Sequence, residues 1–508
     1  MKVNRRDFLK FTSLLPVIAS QWPLFLESNR SSGGSKTSPN ILVILFDALS
    51  ARNASIYGYQ RATTPNLERF ASRAIVYHNY YSPGNFTTSG TASLLTGTYP
   101  WTHRAIQMLG SIAPGVVPNN LFRLFGGKGY TRLGYSHNLL ATELLHQFSE
   151  DMEIFKFPRE LSLDENQFSD RIFSKDYSVA FLGEKLMLPL ETTPPASLFL
   201  ALISGWVQTA KKRKIFEEYK DRYPEGVPDQ YRHYYLLETA IDWVIDLTIK
   251  LPQPYLAYVH LLPPHEPYWP RKEFTNWFQD DWKPLRKPRS FFSQGYSQKS
   301  LNQSRNEYDD YIANVDAEFG RLYASMEKSG VLENTMIIFT SDHGELFERG
   351  IRGHLTDALY QPILQVPLLI SMPGQRQRED VYVNTSGVDL LPTLLHVAGI
   401  AAPELCEGKV LPPFSRTNDA NDRNIFSLEA KQNPKMAPLT NASVSLIKGD
   451  YKLIHYLGYD DDVPEYELFD LANDPEELSD RIKASKGVAQ ELQDILQAKL
   501  KEVNQRYL

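Results

Sequence analysis

Six consecutive apolar residues, Ile41-Leu42-Val43-Ile44-Leu45-Phe46, run without polar interruption and stop at Asp47. Met336-Ile337-Ile338-Phe339-Thr340 repeats the pattern and stops at Ser341-Asp342-His343-Gly344-Glu345. Short, non-alternating apolar runs of this kind predict strands buried on both faces, as in parallel sheets. Residues 255–262 read as a third strand, and 311–322 and 488–504 have helical periodicity. Strand and helix patterns alternate over 39–135 and resume over 232–400. That alternation predicts an α/β fold, a large mostly parallel sheet sandwiched by helices. Residues from about 140 to 232 read as an irregular insert holding a strongly apolar run at 196–207, followed by Lys211-Lys212-Arg213-Lys214. The run is shorter than the ~20 residues that span a bilayer. It reads as a buried helix, the alternatives being a membrane-docking element or the wall of a lipid-sized pocket. From 401 to 508 the pattern gives a smaller α+β subdomain, with strands near 444–447 and 451–456 before a terminal amphipathic helix.

The two best-defined strands both end on carboxylates, at the sheet edge where open α/β sheets bind ligands. Between them lies Asn85-Phe86-Thr87-Thr88-Ser89-Gly90-Thr91-Ala92-Ser93-Leu94-Leu95-Thr96-Gly97, a polar loop feeding a short helix. A helix start offers free N–H groups and a partial positive charge, which suit an oxyanion. Asp47, a hydroxyl from this loop, Asp342 and His343 make a hard O/O/O/N set for one divalent ion, Mn, Mg, Ca or Zn. The competing reading makes Asp342 and His343 ordinary turn caps and Thr87 an ordinary N-cap.

At these residues the chain resembles the sulfatase-like branch of the alkaline phosphatase superfamily. Residues 39–47 look like its opening strand and first metal ligand, and Thr64-Pro65-Asn66-Leu67-Glu68-Arg69-Phe70-Ala71 like its "TPNLDRLA" helix. Leu95-Thr96-Gly97-Thr98-Tyr99-Pro100 is similar to "LTGxYP", and His260 through Pro264-His265-Glu266-Pro267-Tyr268 to the substrate-side "HxxxPHxPY". Residues 334–345 resemble "NTxxxFTSDHGE", and 388–395 and 467–476 resemble late family segments. The resemblance implies an alkaline phosphatase-like catalytic domain over 39–400 and a C-terminal subdomain over 401–508.

Two departures bear on chemistry. Sulfatases carry a Cys or Ser, oxidised to formylglycine, ten residues before the Gly of "LTG" in a C/S-x-P/A-x-R signature. Here that position is Thr87, followed by Thr88-Ser89-Gly90-Thr91, and the one cysteine, Cys406, is far away. Asp47 is followed by Ala48 instead of a second Asp, and Gly353-His354 stands where a Lys is frequent. A threonine site resembles phosphoethanolamine transferases and, more loosely, lipoteichoic acid synthases. The resemblance therefore implies metal ligands Asp47, Thr87, Asp342 and His343, with Thr87 as a metal-bound nucleophile on phosphate esters. Thr88 or Ser89 remains an alternative nucleophile. His265 and His354 are implied catalytic residues that hold non-bridging oxygens or protonate the leaving group. His260 and Thr88 are implied substrate-binding residues, the alternative for His260 being a core histidine. Asp316 reads as structural. A sulfuric ester hydrolase without formylglycine, or an inactive sulfatase-like binding protein, is the competing function.

Asn4-Arg5-Arg6-Asp7-Phe8-Leu9-Lys10 matches the twin-arginine export signature and precedes a moderately apolar stretch. Residues 1–38 thus read as signal and linker, with the twin-arginine machinery as partner and a periplasmic or extracellular destination. A signal left uncleaved would serve as a membrane anchor. One cysteine excludes an intramolecular disulfide in that oxidising place. The chain is 508 residues long with net charge −6, and residues beyond 35 alone stand at −9. An acidic chain with one short basic cluster argues against nucleic acid. The family resemblance implies a small-molecule, lipid or glycan ester as substrate.

Overall fold

The computed structural model describes residues 38–163, 198–230, 233–415 and 423–507, without the side chains of 198–208. The twin-arginine stretch and linker lie outside the described residues. So does the outcome for the apolar face of 196–207, though its backbone runs as a helix from Leu198.

Residues 39–508 form one compact unit. Its main sheet contains β1 (Asn40–Phe46), β2 (Ile75–Tyr77), β3 (Thr131–Ser136), β4 (Ile154–Lys156), β5 (Tyr255–Leu261), β6 (Thr335–Thr340), β7 (Leu368–Ser371) and β8 (Glu379–Val381). Their spatial order is β8-β2-β7-β6-β1-β5-β3-β4. All neighbours pair in parallel except β7, which runs antiparallel to both β2 and β6. The three apolar runs are thus β1, β5 and β6, and they are the adjacent centre of the sheet. β4, inside the stretch expected to be irregular, is its edge strand. It is short and half-buried, so it lacks the continuous apolar run that marks a central strand.

Every residue of β1 is buried, and successive side chains feed opposite faces, as strand geometry requires. Leu42, Ile44 and Phe46 enter one core; Ile41, Val43 and Leu45 enter the other. The helices used below are α1 (Pro65–Ala71), α2 (Thr87–Thr96), α3 (Leu139–His146), α4 (Leu198–Tyr219), α5 (Leu237–Lys250), α6 (Gln298–Ser329), α7 (Leu390–Val397) and α8 (Lys486–Gln505). α1, α5 and α6 cover the first face, and α2, α3 and α7 the second. Asp316 on α6 is structural, as its sequence context implies. Its carboxylate accepts the N–H groups of Asn66 and Leu67 at 2.8 Å and so caps α1.

The C-terminal subdomain is a four-stranded antiparallel sheet of β9 (Ile425–Glu429), β10 (Ala442–Lys448), β11 (Tyr451–Leu457) and β12 (Tyr466–Asp470). α8 lies on it through Ala489, Leu492, Leu496, Leu500 and Val503. Their spacing of three and four residues makes one apolar face on an otherwise polar helix.

Candidate active site

Register brings the site together. Leu45 pairs with Thr340 on one side and His260 on the other. The next residues of β1 and β6 therefore emerge at one carboxyl edge, with His260 level with the end of β1. There Asp47, His260 and Asp342 offer ligand atoms all within 4.8 Å of one another. His343 Nε2 joins them, 3.4 Å from Asp47 Oδ1 and 3.7 Å from Asp342 Oδ2. Two strand-end turns hold this arrangement. Leu49 N–H donates to Ser341 Oγ at 2.9 Å, and Ser341 Oγ donates to the His343 carbonyl at 2.7 Å. Ala48 has φ 59°, a left-handed turn uncommon for a residue with a Cβ. Tyr308 of α6 fixes it by donating to the Ala48 carbonyl at 2.6 Å.

α2 enters against this edge with every residue buried. Gly90 makes the approach possible, since a Cβ there would lie 2.3 Å from the Asp342 carbonyl oxygen. Of three successive hydroxyls, only that of Thr87 faces the cluster, with Oγ1 3.3 Å from His343 Nε2. Thr88 donates to the Met108 carbonyl at 2.6 Å and Ser89 to the Phe86 carbonyl at 3.1 Å. Thr88, expected to bind substrate, thus has its hydroxyl turned away, because successive side chains of a helix point about 100° apart. The C-terminal subdomain secures the lead-in to α2. Leu428 N–H donates to the Pro83 carbonyl at 2.8 Å and Ser427 Oγ to the Ser82 carbonyl at 2.6 Å. Lys431 Nζ sits 4.9 Å from the centre of the Phe86 ring.

The mouth is a cavity of about 350 Å³ lined by Phe86, Thr87, Met108, Leu140, His265, Pro267, Arg352, His354 and Leu355, among others. His265 and His354 face each other with ring centres 4.8 Å apart, and His354 is 4.4 Å from the His343 ring. His265 Nδ1 lies 2.7 Å from the Glu266 carbonyl, a pure acceptor, so Nδ1 carries a proton and Nε2 is free toward the cavity. His354 Nδ1 meets the Glu345 carboxyl at 3.1 Å. His260, expected on the substrate side, is wholly buried on the floor, with Nε2 3.0 Å from Asp47 Oδ2.

The charge balance favours a cation. His343 Nδ1 donates to the Gly344 carbonyl at 2.9 Å, which leaves Nε2 to face the carboxylates. Asp47 Oδ2 is occupied by Asn138 and His260, whereas the buried Oδ1 has only His343 Nε2 beside it, at 3.4 Å. Burial opposes the charge on Asp47, yet hydrogen bonds to His260 and His343 hold it well below the usual carboxylate range. Burial and then repulsion from Asp47 push Asp342 upward. Burial works against a charged His343, but Asp342 and Asp47 outweigh it and raise it to about 9. Two buried carboxylates, an Asp47 oxygen with a single long contact and an oriented imidazole fit a hard divalent ion. Burial also pushes Glu345 to about 7. His354 is held well below the usual imidazole range by burial and by His343 and His265.

Two contributors escape a reading of the sequence alone. Asn138 precedes the apolar start of α3 and looks there like a simple N-cap. In space its amide nitrogen also donates to Asp47 and, at 3.2 Å, to Thr87 Oγ1. Glu345 is legible as part of a motif, but its pairing with His354 depends on the fold.

The mostly parallel sheet with helices on both faces is an α/β fold of the alkaline phosphatase-like kind, with a cluster of Asp, His and Thr at its carboxyl edge. Comparison with known proteins takes this one step further: the chain belongs to the sulfatase family, whose profile "Sulfatase" matches residues 39–400. A second profile, "N-sulphoglucosamine sulphohydrolase, C-terminal", matches residues 356–506. Choline-sulfatase of Rhizobium meliloti (strain 1021) is 24% identical over 471 residues, 88% of this chain and 83% of that protein. Arylsulfatase K of Xenopus laevis is 27% identical over 277 residues, 48% of this chain and 51% of that protein. The chain thus spans about half the length of the arylsulfatase K proteins it matches. Among solved structures, the phosphonate monoester hydrolase of Agrobacterium radiobacter superposes with TM-score 0.65 at 19% identity, covering 92% of this chain and 96% of that one. A 2-O GAG sulfatase gives TM-score 0.63 at 16% identity, covering 92% of each chain. At these identities the structural likeness establishes the fold.

Proposed function

We propose that this chain is an exported, metal-dependent hydrolase of phosphate esters that uses Thr87 as its nucleophile. The observation that carries this reading is the convergence of one hydroxyl, Thr87 Oγ1, with Asp47, Asp342 and His343 beneath an open cavity. A divalent ion held by Asp47, Asp342 and His343, with Thr87 and His260 adjoining, would supply the positive charge that lowers a hydroxyl's pKa and offsets charge on the ester.

In the proposed sequence Thr87 Oγ attacks phosphorus, the bond to the leaving alcohol breaks, and a phosphoryl group rests on Thr87. Water, or an acceptor alcohol, then attacks phosphorus and frees the threonine. The N–H groups at the start of α2 face the developing negative charge. His265, in its imidazolium form, and His354, at the cavity wall, donate to a non-bridging oxygen or to the leaving oxygen. The absence of a formylglycine signature around Thr87 supports phosphoryl chemistry. The sulfatase relatives support the competing reading, a sulfuric ester hydrolase that works without formylglycine. Export rests on the twin-arginine pattern at residues 4–10. Among the described residues no helix is long and apolar enough to cross a membrane.

The test is turnover of aryl phosphate monoesters, diesters and aryl sulfates by metal-loaded protein, beside Thr87→Ala. Hydrolysis of a phosphate ester, lost in the variant, with a phosphorylated Thr87 found by mass spectrometry, is the expected result. Unaltered turnover in Thr87→Ala, or turnover of sulfates only, would overturn the assignment.

A further inference from the structure

Asn138 has two jobs that sequence shows as one. Its Oδ1 accepts the N–H groups of Leu140 at 2.8 Å and Ala141 at 3.5 Å, capping α3. Only an oxygen can accept there, so the cap settles which end of the amide is which. The NH2 must then point the other way, and it meets Thr87 Oγ1 at 3.2 Å and the inner carboxylate oxygen of Asp47. Asn138 and Asp47 are fully buried, and Thr87 is buried where it meets the cavity. An NH2 group is donor only. Thr87 Oγ1 therefore accepts from Asn138, and it lies 3.3 Å from His343 Nε2.

We propose that Asn138 is a positioning residue for Thr87: its amide, locked by the cap of α3, holds the threonine in the rotamer that aims Oγ1 into the site. Thr87 has one donor fixing one lone pair, which leaves another lone pair for the attacked atom. Without that donor the threonine side chain, at the first turn of its helix, has its hydroxyl free to fold back toward a main-chain carbonyl, as that of Ser89 does. The inference rests on the reading of Thr87 as nucleophile.

Asn138→Ser and Asn138→Asp separate this role from capping, because both side chains cap a helix and neither presents an NH2. In the full chain, with the aryl ester that wild type hydrolyses, both variants should lower kcat on the order of 10²-fold with KM nearly unchanged. The Tm of Asn138→Ser should stay close to wild type, whereas Asn138→Asp, which buries a carboxylate against that of Asp47, and Asn138→Ala, which loses the cap, should both melt lower. Crystal structures of the two capping variants should show Thr87 Oγ1 turned away from His343 Nε2, a readout that does not need turnover. Wild-type kcat in both capping variants, with Thr87 unmoved, would overturn the inference while leaving the nucleophile reading intact. Wild-type activity in Thr87→Ala, measured alongside, would overturn both. If wild type hydrolyses none of these esters, the Thr87 rotamer in the variants decides the matter alone.

Discussion

The floor of the site and its mouth are built by different rules. On the floor Asp47, His260, Asp342, His343 and Thr87 are all at or below 2% exposure. Each is tied to a strand end or a helix start by bonds that also hold the sheet together. At the mouth, His265 has one side-chain hydrogen bond, to the adjacent Glu266 carbonyl, and Leu355 is 46% exposed. The floor's geometry is therefore inseparable from folding, whereas the mouth can vary without cost to the core. A scaffold of this kind keeps one reaction centre and changes its substrate by altering the mouth.

Substitutions can break that contrast, and the largest effect belongs to the floor. Asp342→Ala should leave the purified protein without the proposed divalent ion and abolish turnover, since even outer-shell partners of metals cost about 10–100-fold when removed. Metal analysis beside kinetics checks it; full metal occupancy in the variant would detach Asp342 from the ion. Next comes the mouth: His265→Ala should slow turnover by about 10²–10³ with Tm unchanged. A fall in Tm equal to that of core variants would erase the distinction drawn here. Gly90→Ala tests the close approach of α2. A methyl group 2.3 Å from a main-chain oxygen forces the helix back. The expected outcome is about 1–3 kcal/mol of lost stability and roughly 10² in rate from a sub-ångström shift of Thr87.

Glu345 sharpens the boundary between the two regions through pH. Its carboxyl, chiefly through burial, titrates at about 7 when folded, against 4.5 ordinarily. A raised acid stabilises the folded state fully below the unfolded value and loses that contribution as pH climbs through the folded one. Metal-free protein should therefore lose roughly 2–4 kcal/mol between pH 4.5 and 7.5 from this group. Glu345→Gln should flatten that part of the Tm–pH curve; an unchanged curve would mean the carboxyl is not strained by burial. The smallest effect concerns Cys406, whose thiol burial pushes to about 11. Alkylation at neutral pH should be on the order of 10² slower in native than in unfolded protein.

What the sequence discloses follows from how locally each feature is specified. β1, β5 and β6 are legible because a strand buried on both faces must be apolar at every position. β4 escapes because an edge strand of three half-buried residues, Ile154-Phe155-Lys156, carries no such constraint. The motif pattern brings Asp47, Thr87, Asp342 and His343 into view, and the structure brings all four together. Choosing among Thr87, Thr88 and Ser89 needed the helix phase, which adjacent hydroxyls conceal. The place of His260 needed the β1–β5 register, and the second role of Asn138 needed two loops brought together across the sheet edge.

The pinning of residues 82–86 by Ser427, Leu428 and Lys431 has a consequence in time. The segment that presents Thr87 is anchored by a strand made more than 300 residues later in the chain. A ribosome will have finished nearly all of the large sheet before that anchor exists. The emerging polypeptide can hold its core yet leave Thr87 unaimed, so the oxygen proposed to react is placed last. For an enzyme proposed to leave the cell already folded, that order keeps half-made copies chemically silent inside it.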